Sequence, residues 1–192
     1  MYDNFQKYLD SKIVLSQEQS DRIKSRCVVK RLRKNQYIVQ AGDVCKNHAF
    51  VSKGCLRSYS VDDNGVEHIV KFAIENWWIA DRNSLMSGEP ATLNVDAIED
   101  SEVVLISKQN YDLICHEIPA FNEMVNNLLQ SAYGKLQNRM LANISLTACE
   151  KYENFLQSYP DFALRIPQGM IASYLGISAE TLSRVRNQMV AK

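Results

Sequence analysis

The chain has 192 residues, enough for one medium domain or two small ones, and its 46% hydrophobic and 23% charged content excludes a disordered protein. Charged or strongly polar residues interrupt every apolar stretch well short of ~18 residues, so neither a membrane span nor a signal peptide is expected, and a cytoplasmic location is the default. Lys and Arg total 22, as do Asp and Glu, and this zero net charge by itself argues against a nucleic-acid partner.

The N-terminal half is predicted to be helical at first and then rich in strands. Residues 2 to about 29 read as helical, and Ser16 with Gln19 has the form of a capping box that opens a second helix. From Lys30 to Ser107, short β-rich runs alternate with turn signals such as Asn64-Gly65. The predicted strands are residues 36–40, 48–52, 55–61, 66–74, 92–98 and 102–107. Strands this short at near-regular spacing predict an antiparallel sandwich or barrel.

The cysteines carry little functional signal. Cys27, Cys45, Cys55, Cys115 and Cys149 are odd in number, lie far apart and include no CxxC pair. That pattern argues against a disulfide framework, a zinc site or an iron–sulfur cluster held by clustered thiolates. No metal site is therefore expected. Buried free thiols are the simplest interpretation, and a single redox-sensing thiol is the alternative.

A long helix is predicted over residues 118–145. Pro119 occupies its first turn. Apolar residues then follow at steps of three or four: Phe121, Val125, Leu128, Ala132, Leu136, Met140 and Ile144. A stripe of ~25 residues spans ~37 Å, which exceeds what one small sheet can cover. We expect Phe121 through Met140 to form a parallel dimer interface, with partial packing on the parent domain as the alternative.

A separate C-terminal domain is predicted over residues 146–192, after a β domain over 1–117 and the long helix. Thr147 and Glu150 form a second capping box, which opens a helix over residues 148–158, and Tyr159-Pro160-Asp161 ends it. Residues 162–192 hold four basic side chains against Glu180 alone. The chain therefore has a small basic tip on a mildly acidic body.

Residues 167–184 have the pattern of a helix-turn-helix. Pro167 can open a helix, Gly176 supplies a sharp turn where a side chain would be strained or crowd the next helix, and Ser178 caps the second helix. The inward positions are Ile171, Ala172, Leu175, Leu182 and Val185, with Ile177 between the helices. The second helix is predicted to lie in the DNA major groove.

The outward face of that second helix favours DNA binding over a plain helical hairpin. It reads Ala179, Glu180, Ser183, Arg184 and Asn187, which are polar side chains suited to base contacts, apart from Ala179. The same face lies on the basic tip of the chain. Both observations weigh against a merely structural hairpin.

The order of these elements resembles the Crp/Fnr family of transcription regulators, the cyclic-AMP receptor protein type, over nearly the whole chain. The resemblance implies an α+β fold: a double-stranded antiparallel β-roll of the cyclic-nucleotide-binding, cupin-like kind, a dimerisation helix and an all-α helix-turn-helix domain. It implies that Glu180 accepts from cytosine and Arg184 donates to guanine. It further implies phosphate contacts from Gln168, Ser178 and Thr181. Ala179 departs from the pattern, and only eight residues follow Arg184, so no two-stranded wing is expected.

The effector of such a regulator is not expected to be cyclic AMP. Relatives that bind it hold ribose and phosphate with Gly-Glu and Arg-Ser/Thr pairs, where this chain has Ala80-Asp81 and Ala91-Thr92. The adenine-binding Thr-Ser pair is replaced by Leu136-Gln137. Two alternatives stay open, an empty roll and a pocket for another small molecule lined by Asp81, Asn83, Ser84 and Thr92. A haem held by His48, His68 or His116 is disfavoured because isolated histidines at strand ends are more often solvated.

The predicted function is that of a homodimer that binds double-stranded DNA at a palindromic site and regulates transcription, with no cofactor expected. RNA polymerase is a further candidate partner and a membrane is not. The alternative is a cyclic-nucleotide-binding-like module that mediates protein contacts without DNA binding. An enzyme is not expected, because the sequence offers no nucleophile–base pair, metal-ligand spacing or Gly-rich phosphate loop.

Overall fold

The structure is a computed structural model that describes residues 2–160 and 162–190. The helices are α1 (Tyr2–Asp10), α2 (Gln17–Ser25), α3 (Arg82–Ser87), α4 (Lys108–Glu117), α5 (Pro119–Ser145), α6 (Ala148–Ser158), α7 (Phe162–Arg165), α8 (Gln168–Leu175) and α9 (Ala179–Val190). The strands are β1 (Val28–Leu32), β2 (Tyr37–Val39), β3 (Asn47–Lys53), β4 (Leu56–Val61), β5 (Glu67–Ala73), β6 (Trp78–Ile79), β7 (Asn94–Ala97) and β8 (Ser101–Ser107). The predicted α+β class is confirmed.

The chain divides into two compact units. The first extends to Val66 and from Val70 to Leu128, and the second comprises Glu67–Ile69 and the chain from Leu129 onward. The division falls inside α5, whereas the sequence places domain boundaries at the two ends of that helix.

Two four-stranded sheets form the N-terminal β-roll. Their strand orders are β1-β8-β3-β6 and β2-β7-β4-β5. Antiparallel pairing sets the register, as in Ala49 opposite Leu105 between β3 and β8, and Leu56 opposite Ala97 between β4 and β7. Apolar side chains from both sheets meet in one core, which includes Leu32, Val39, Ala49, Val51, Leu56, Ala73, Ile79, Val95, Ala97 and Val103. The sequence therefore predicted the roll and most of its strands correctly.

Several elements of this unit differ from the prediction, and among them the helix α4 was not predicted. The helical segment ends at Ser25 rather than near residue 29, and β1 begins at Val28. β1 lies at a sheet edge with its first four residues exposed, so its sequence lacks the alternation of a half-buried strand. The two-residue strand β6 and the short helix α3 carry no periodic signal either, and both went unpredicted.

The predicted hairpin at Asn64-Gly65 is present, with only its glycine in the left-handed region. Gly65 has a φ of 79°, and its N–H donates to the carbonyl of Asp62 over 2.9 Å. The Asp62 carboxylate accepts from the amides of Asn64 and Val66, at 2.9 and 3.0 Å. An Asp side chain thus closes this loop between β4 and β5.

The long helix carries two apolar faces instead of the single stripe that was predicted. Phe121 and Val125 are buried within the N-terminal unit, so assigning them to a dimer interface was wrong. Farther along, Leu136, Met140 and Ile144 are 61%, 64% and 75% exposed. Each step of four residues turns a helix by about 40° beyond a full turn, so a stripe built from such steps rotates around it. Leu128 is half-buried and Ala132 is exposed between the two faces.

Candidate nucleic-acid interface

The helix-turn-helix stands on a small hydrophobic core in the C-terminal unit. Thr147 opens α6 with the predicted capping box: its hydroxyl accepts from the Glu150 amide, and the Glu150 side chain accepts from the Thr147 amide. The buried side chains of α6, α8 and α9 are Tyr152, Phe155, Ile171, Ala172, Leu175, Leu182 and Val185, joined by Ile166. All five inward positions predicted for the two motif helices are therefore correct, and Ile177 between them is half-buried.

The turn between α8 and α9 depends on Gly176. This residue has a φ of 66° and ends α8 with its N–H directed to the carbonyls of Ala172 and Ser173. A Cβ at this position would meet no heavy atom within 4 Å. Backbone strain thus explains the glycine, and the expectation that a side chain would crowd the second helix is wrong.

Ser178 then starts α9, whose polar face points away from the core. The Ser178 hydroxyl accepts from the Thr181 amide over 3.1 Å, as expected of an N-cap residue. Glu180, Ser183, Arg184 and Asn187 are all exposed. Their spacing of three and four residues brings them onto one side of the helix. Four of the predicted DNA-contact residues therefore share a single accessible surface.

Hydrogen bonds within α9 organise the charged groups of this surface. The pKa of Glu180 is lowered, first by a hydrogen bond from the Ser178 hydroxyl and then by the nearby backbone, so this side chain is a carboxylate at neutral pH. The Thr181 hydroxyl lies 3.1 Å from that of Ser178 and accepts from Nη2 of Arg184 over 3.3 Å. Thr181, predicted only as a phosphate contact, therefore also orients the guanidinium.

Gln168 lies apart from this face, as the first residue of α8. Its side chain is half-buried, and its Oε1 atom is buried without a hydrogen-bond partner. A phosphate contact from Gln168 therefore stays a prediction.

The residues predicted to line a ligand pocket have other roles or lie at the surface. The buried Asp81 carboxylate caps α3 by accepting from the Ser84 amide, and it accepts from the amides of Thr92 and Leu93, each at 3.0 Å. The Ser84 hydroxyl accepts from the Cys45 amide and donates to the Glu89 carbonyl. Asn83 and the Thr92 side chain are exposed. Two of the four are thus structural, and the pocket stays a prediction.

The histidines and cysteines add no metal site. Across residues 2–160 and 162–190, no three His, Cys, Asp or Glu side chains cluster in an arrangement that could hold a metal ion. A solvated His48 was expected, whereas this residue is half-buried and its ring stacks on Tyr111 with centroids 3.7 Å apart. All five cysteines are free, and burial raises the pKa of Cys27 to about 12 and that of Cys115 to about 11. Neither of these two thiols is a reactive thiolate at neutral pH.

Comparisons with known proteins agree with this architecture. Residues 29–117 match the cyclic nucleotide-binding domain. The chain is similar to the transcriptional activator protein anr of Pseudomonas aeruginosa, at 27% identity over 172 residues that cover 82% of this chain and 70% of the relative. It resembles the structure of FixK2 from Bradyrhizobium japonicum, with a TM-score of 0.72, 23% identity and coverage of 86% and 85% of the two chains. A structure from Eubacterium rectale, described as a regulator of the crp/fnr family, gives a TM-score of 0.72 at 18% identity over 96% of this chain and 88% of that one.

A β-roll, a long helix and a helix-turn-helix in one chain define a two-part regulator whose C-terminal part carries the DNA-reading motif. In sequence and fold the chain is similar to transcription regulators of the Crp/Fnr type. Within the described residues, no helix is long and apolar enough to cross a membrane.

Proposed function

We propose that this protein is a homodimer that binds a two-fold symmetric DNA site through α9 and regulates transcription without cyclic AMP. The observation that carries the proposal is the exposed polar face of α9, formed by Glu180, Ser183, Arg184 and Asn187 above a fully apolar underside. A plain structural hairpin would not need four side chains suited to base edges on one exposed face of its second helix.

The base contacts follow from the chemistry of two side chains. The Glu180 carboxylate can accept from the N4 amino group of cytosine, and the Arg184 guanidinium can donate to O6 and N7 of guanine. They are four residues apart, hence neighbours on the helix. Ala179 offers no polar group, so each half-site is read with one contact fewer than if a long side chain stood there. In this proposal the hydroxyls of Ser178 and Thr181 contact phosphate beside these bases.

Self-association supports a palindromic target. Beyond Leu128, α5 exposes an apolar strip defined by Tyr133, Leu136, Met140 and Ile144, each at least 60% exposed in the single chain. At 100° per residue these four lie within about 80° of one another around the helix. Burying this strip against its own copy would remove it from water and pair two recognition helices about 34 Å apart.

The polar groups of the β-roll argue against a cyclic nucleotide as effector. The amides of Thr92 and Leu93 already donate to the Asp81 carboxylate, and no arginine stands at Ala91 to receive a phosphate. A negative ligand placed there would lie against a buried carboxylate. We therefore propose that the roll works either without a ligand or with a different small molecule.

The cellular setting follows from the proposed activity. A regulator of transcription meets its DNA in the cytoplasm of a bacterium, which is the proposed location. Relatives named as transcriptional activators support RNA polymerase as a further partner.

Selection of bound sequences from a random duplex library, with purified full-length protein and no added ligand, tests the proposal. We expect a two-fold symmetric site whose half-sites lie about 10 bp apart. Failure to enrich any sequence, both alone and with cell extract, would favour the rival function of a protein-interaction module without DNA binding.

Arg184→Ala tests the reading face directly. A bidentate guanine contact is worth about 1–3 kcal/mol per half-site, so affinity for the selected palindrome should fall by about 30-fold or more, and preference at one base pair of each half-site should relax. Arg186→Ala is the matched control, because it removes the same exposed charge from the same helix on another side. Its loss should be small and independent of sequence. Equal behaviour of both variants would remove Arg184 from the readout.

A further inference from the structure

A cation–π contact joins the long helix to the helix-turn-helix. The guanidinium carbon of Arg139 in α5 lies 4.1 Å from the ring centre of Tyr174 in α8. Both residues belong to the C-terminal unit. Because the face of an aromatic ring is negative, this geometry is attractive.

Tyr174 is itself part of an aromatic group that includes the end of α6. Its ring lies 5.8 Å from that of Phe155, which lies 5.6 Å from that of Tyr159. Burial raises the pKa of Tyr159 to about 12, the nearby Tyr174 hydroxyl adds to this rise, and the charge of Arg139 opposes it. The four side chains, called here the α5–α8 cluster, therefore contact one another across α5, α6 and α8.

The cluster connects two surfaces on which DNA reading depends. Arg139 directly precedes Met140, a member of the exposed apolar strip on α5. Tyr174 directly precedes Leu175, which is buried together with Leu182 of α9 beneath the reading face. The covalent path from α5 to α6 is only Leu146 and Thr147. Beyond this short link, side-chain contacts such as this cluster help to hold the helix-turn-helix against α5.

We infer that Arg139 is a positioning residue that sets the distance between the two recognition helices of the dimer, and hence the half-site spacing that the protein prefers. The inference rests on the proposed function. Arg139 does not need to contact a base for this role. Its removal should leave reading of one half-site intact and weaken discrimination between spacings.

The test uses full-length protein and duplexes derived from the site that wild-type protein selects. One series varies the spacer between half-sites by one and two base pairs in each direction, and a further duplex carries a single half-site. The variants are Arg139→Ala, Arg139→Met, which keeps the length of the side chain without its charge, and Tyr174→Leu, which removes the ring. Lys135→Ala removes one charge from the same helix as a control. Sedimentation and thermal melting verify that each variant is folded and dimeric.

For Arg139→Ala and Tyr174→Leu we expect about a tenfold loss of affinity for the preferred spacing, a flattened spacing profile and half-site binding within twofold of wild type. Lys135→Ala should keep the wild-type profile. If Arg139→Ala does not fold, Arg139→Met decides the question by the same profile. An unchanged profile, or equal losses on half-site and palindrome, overturns the inference. Absence of any selected site for wild-type protein instead overturns the proposed function.

Discussion

The two units use charge in opposite ways. In the N-terminal unit, Nε of Arg57 lies 2.8 Å from Oδ1 of Asp96 and Nη2 lies 3.1 Å from Oδ2, with side chains only 8% and 4% exposed. The Arg57 guanidinium also lies 4.0 Å from the ring centre of Tyr59. In the C-terminal unit, by contrast, Glu180 and Arg184 are exposed and hydrogen-bond to the first turn of α9 and its N-cap residue Ser178. The Arg57–Asp96 pair is thus enclosed in the β-roll, whereas Glu180 and Arg184 are exposed on the helix-turn-helix.

This difference between buried, paired charges and exposed ones indicates where a partner can bind. A buried arginine that is already forked on a carboxylate has little capacity left for a ligand, and Asp81 is committed to backbone amides in the same way. An exposed carboxylate and guanidinium on one helix face keep their hydrogen-bonding capacity for bases. Substitutions in the roll should therefore change folding stability, whereas substitutions on the reader and on the apolar strip should change association.

The largest effect is expected at the buried ion pair. Asp96→Ala leaves the Arg57 guanidinium buried without its carboxylate, which should lower the free energy of unfolding by about 3–5 kcal/mol. Urea denaturation of wild type and variant measures the difference. The double variant Arg57→Met with Asp96→Leu fills the same space with apolar groups and should recover most of the loss. A loss below about 1 kcal/mol for Asp96→Ala would contradict the enclosed character of this charge.

A smaller effect is expected on the apolar strip of α5. Met140→Glu should leave the stability of the single protomer nearly unchanged, because the native side chain is 64% exposed. It should weaken dimerisation by about 100-fold, or about 2.7 kcal/mol, since two like charges would meet across the two-fold axis. Asn138→Glu adds the same charge to an exposed position on the opposite side of α5 and serves as the control. Sedimentation equilibrium distinguishes the two, and a dimer equally weakened by both variants would exclude this strip as the interface.

Sequence reasoning succeeded where structure is specified locally. The capping boxes at Ser16 and Thr147 and the N-cap at Ser178 each involve partners three residues away, so their spacing alone predicted them. The apolar positions of α8 and α9 repeat with the helical period, and this pattern predicted which side chains of the helix-turn-helix are buried. The exposed positions on α9 followed by elimination.

It failed where a side chain finds distant partners. The sequence did not reveal that the Asp81 carboxylate caps α3 and accepts from the amides of residues 92 and 93, because these contacts depend on the path of the chain between them. Phe121 was predicted on a dimer face, yet it packs near Tyr111, with ring centres 5.5 Å apart. A periodic pattern states that a helix has an apolar side, and only tertiary structure determines what covers each turn of it.

The smallest expected effect is a pH dependence of folding stability that comes from His48 in the N-terminal unit. His48 stacks on Tyr111, and its pKa is lowered to about 4, first by burial and then by the charge of Arg82, with Lys108 lowering it and Asp112 raising it. A lowered pKa means that the folded chain binds the proton less well than the unfolded chain, whose histidine titrates near 6.5. The contribution of His48 to stability is therefore complete above about pH 6.5 and is lost as the pH falls from there toward 4.

When the pH falls from 7 to 5, we expect the free energy of unfolding to drop by about 1–2 kcal/mol because of His48. Urea denaturation of wild type and of His48→Phe at both pH values isolates this part, because the variant keeps an aromatic ring against Tyr111 and loses the titration. On going from pH 7 to pH 5, the free energy of unfolding of His48→Phe should rise relative to that of wild type. DNA binding at pH 7 should be the same for both proteins. An equal pH dependence of stability in both proteins would contradict this prediction. It would mean that the His48 side chain titrates like that of a solvated histidine.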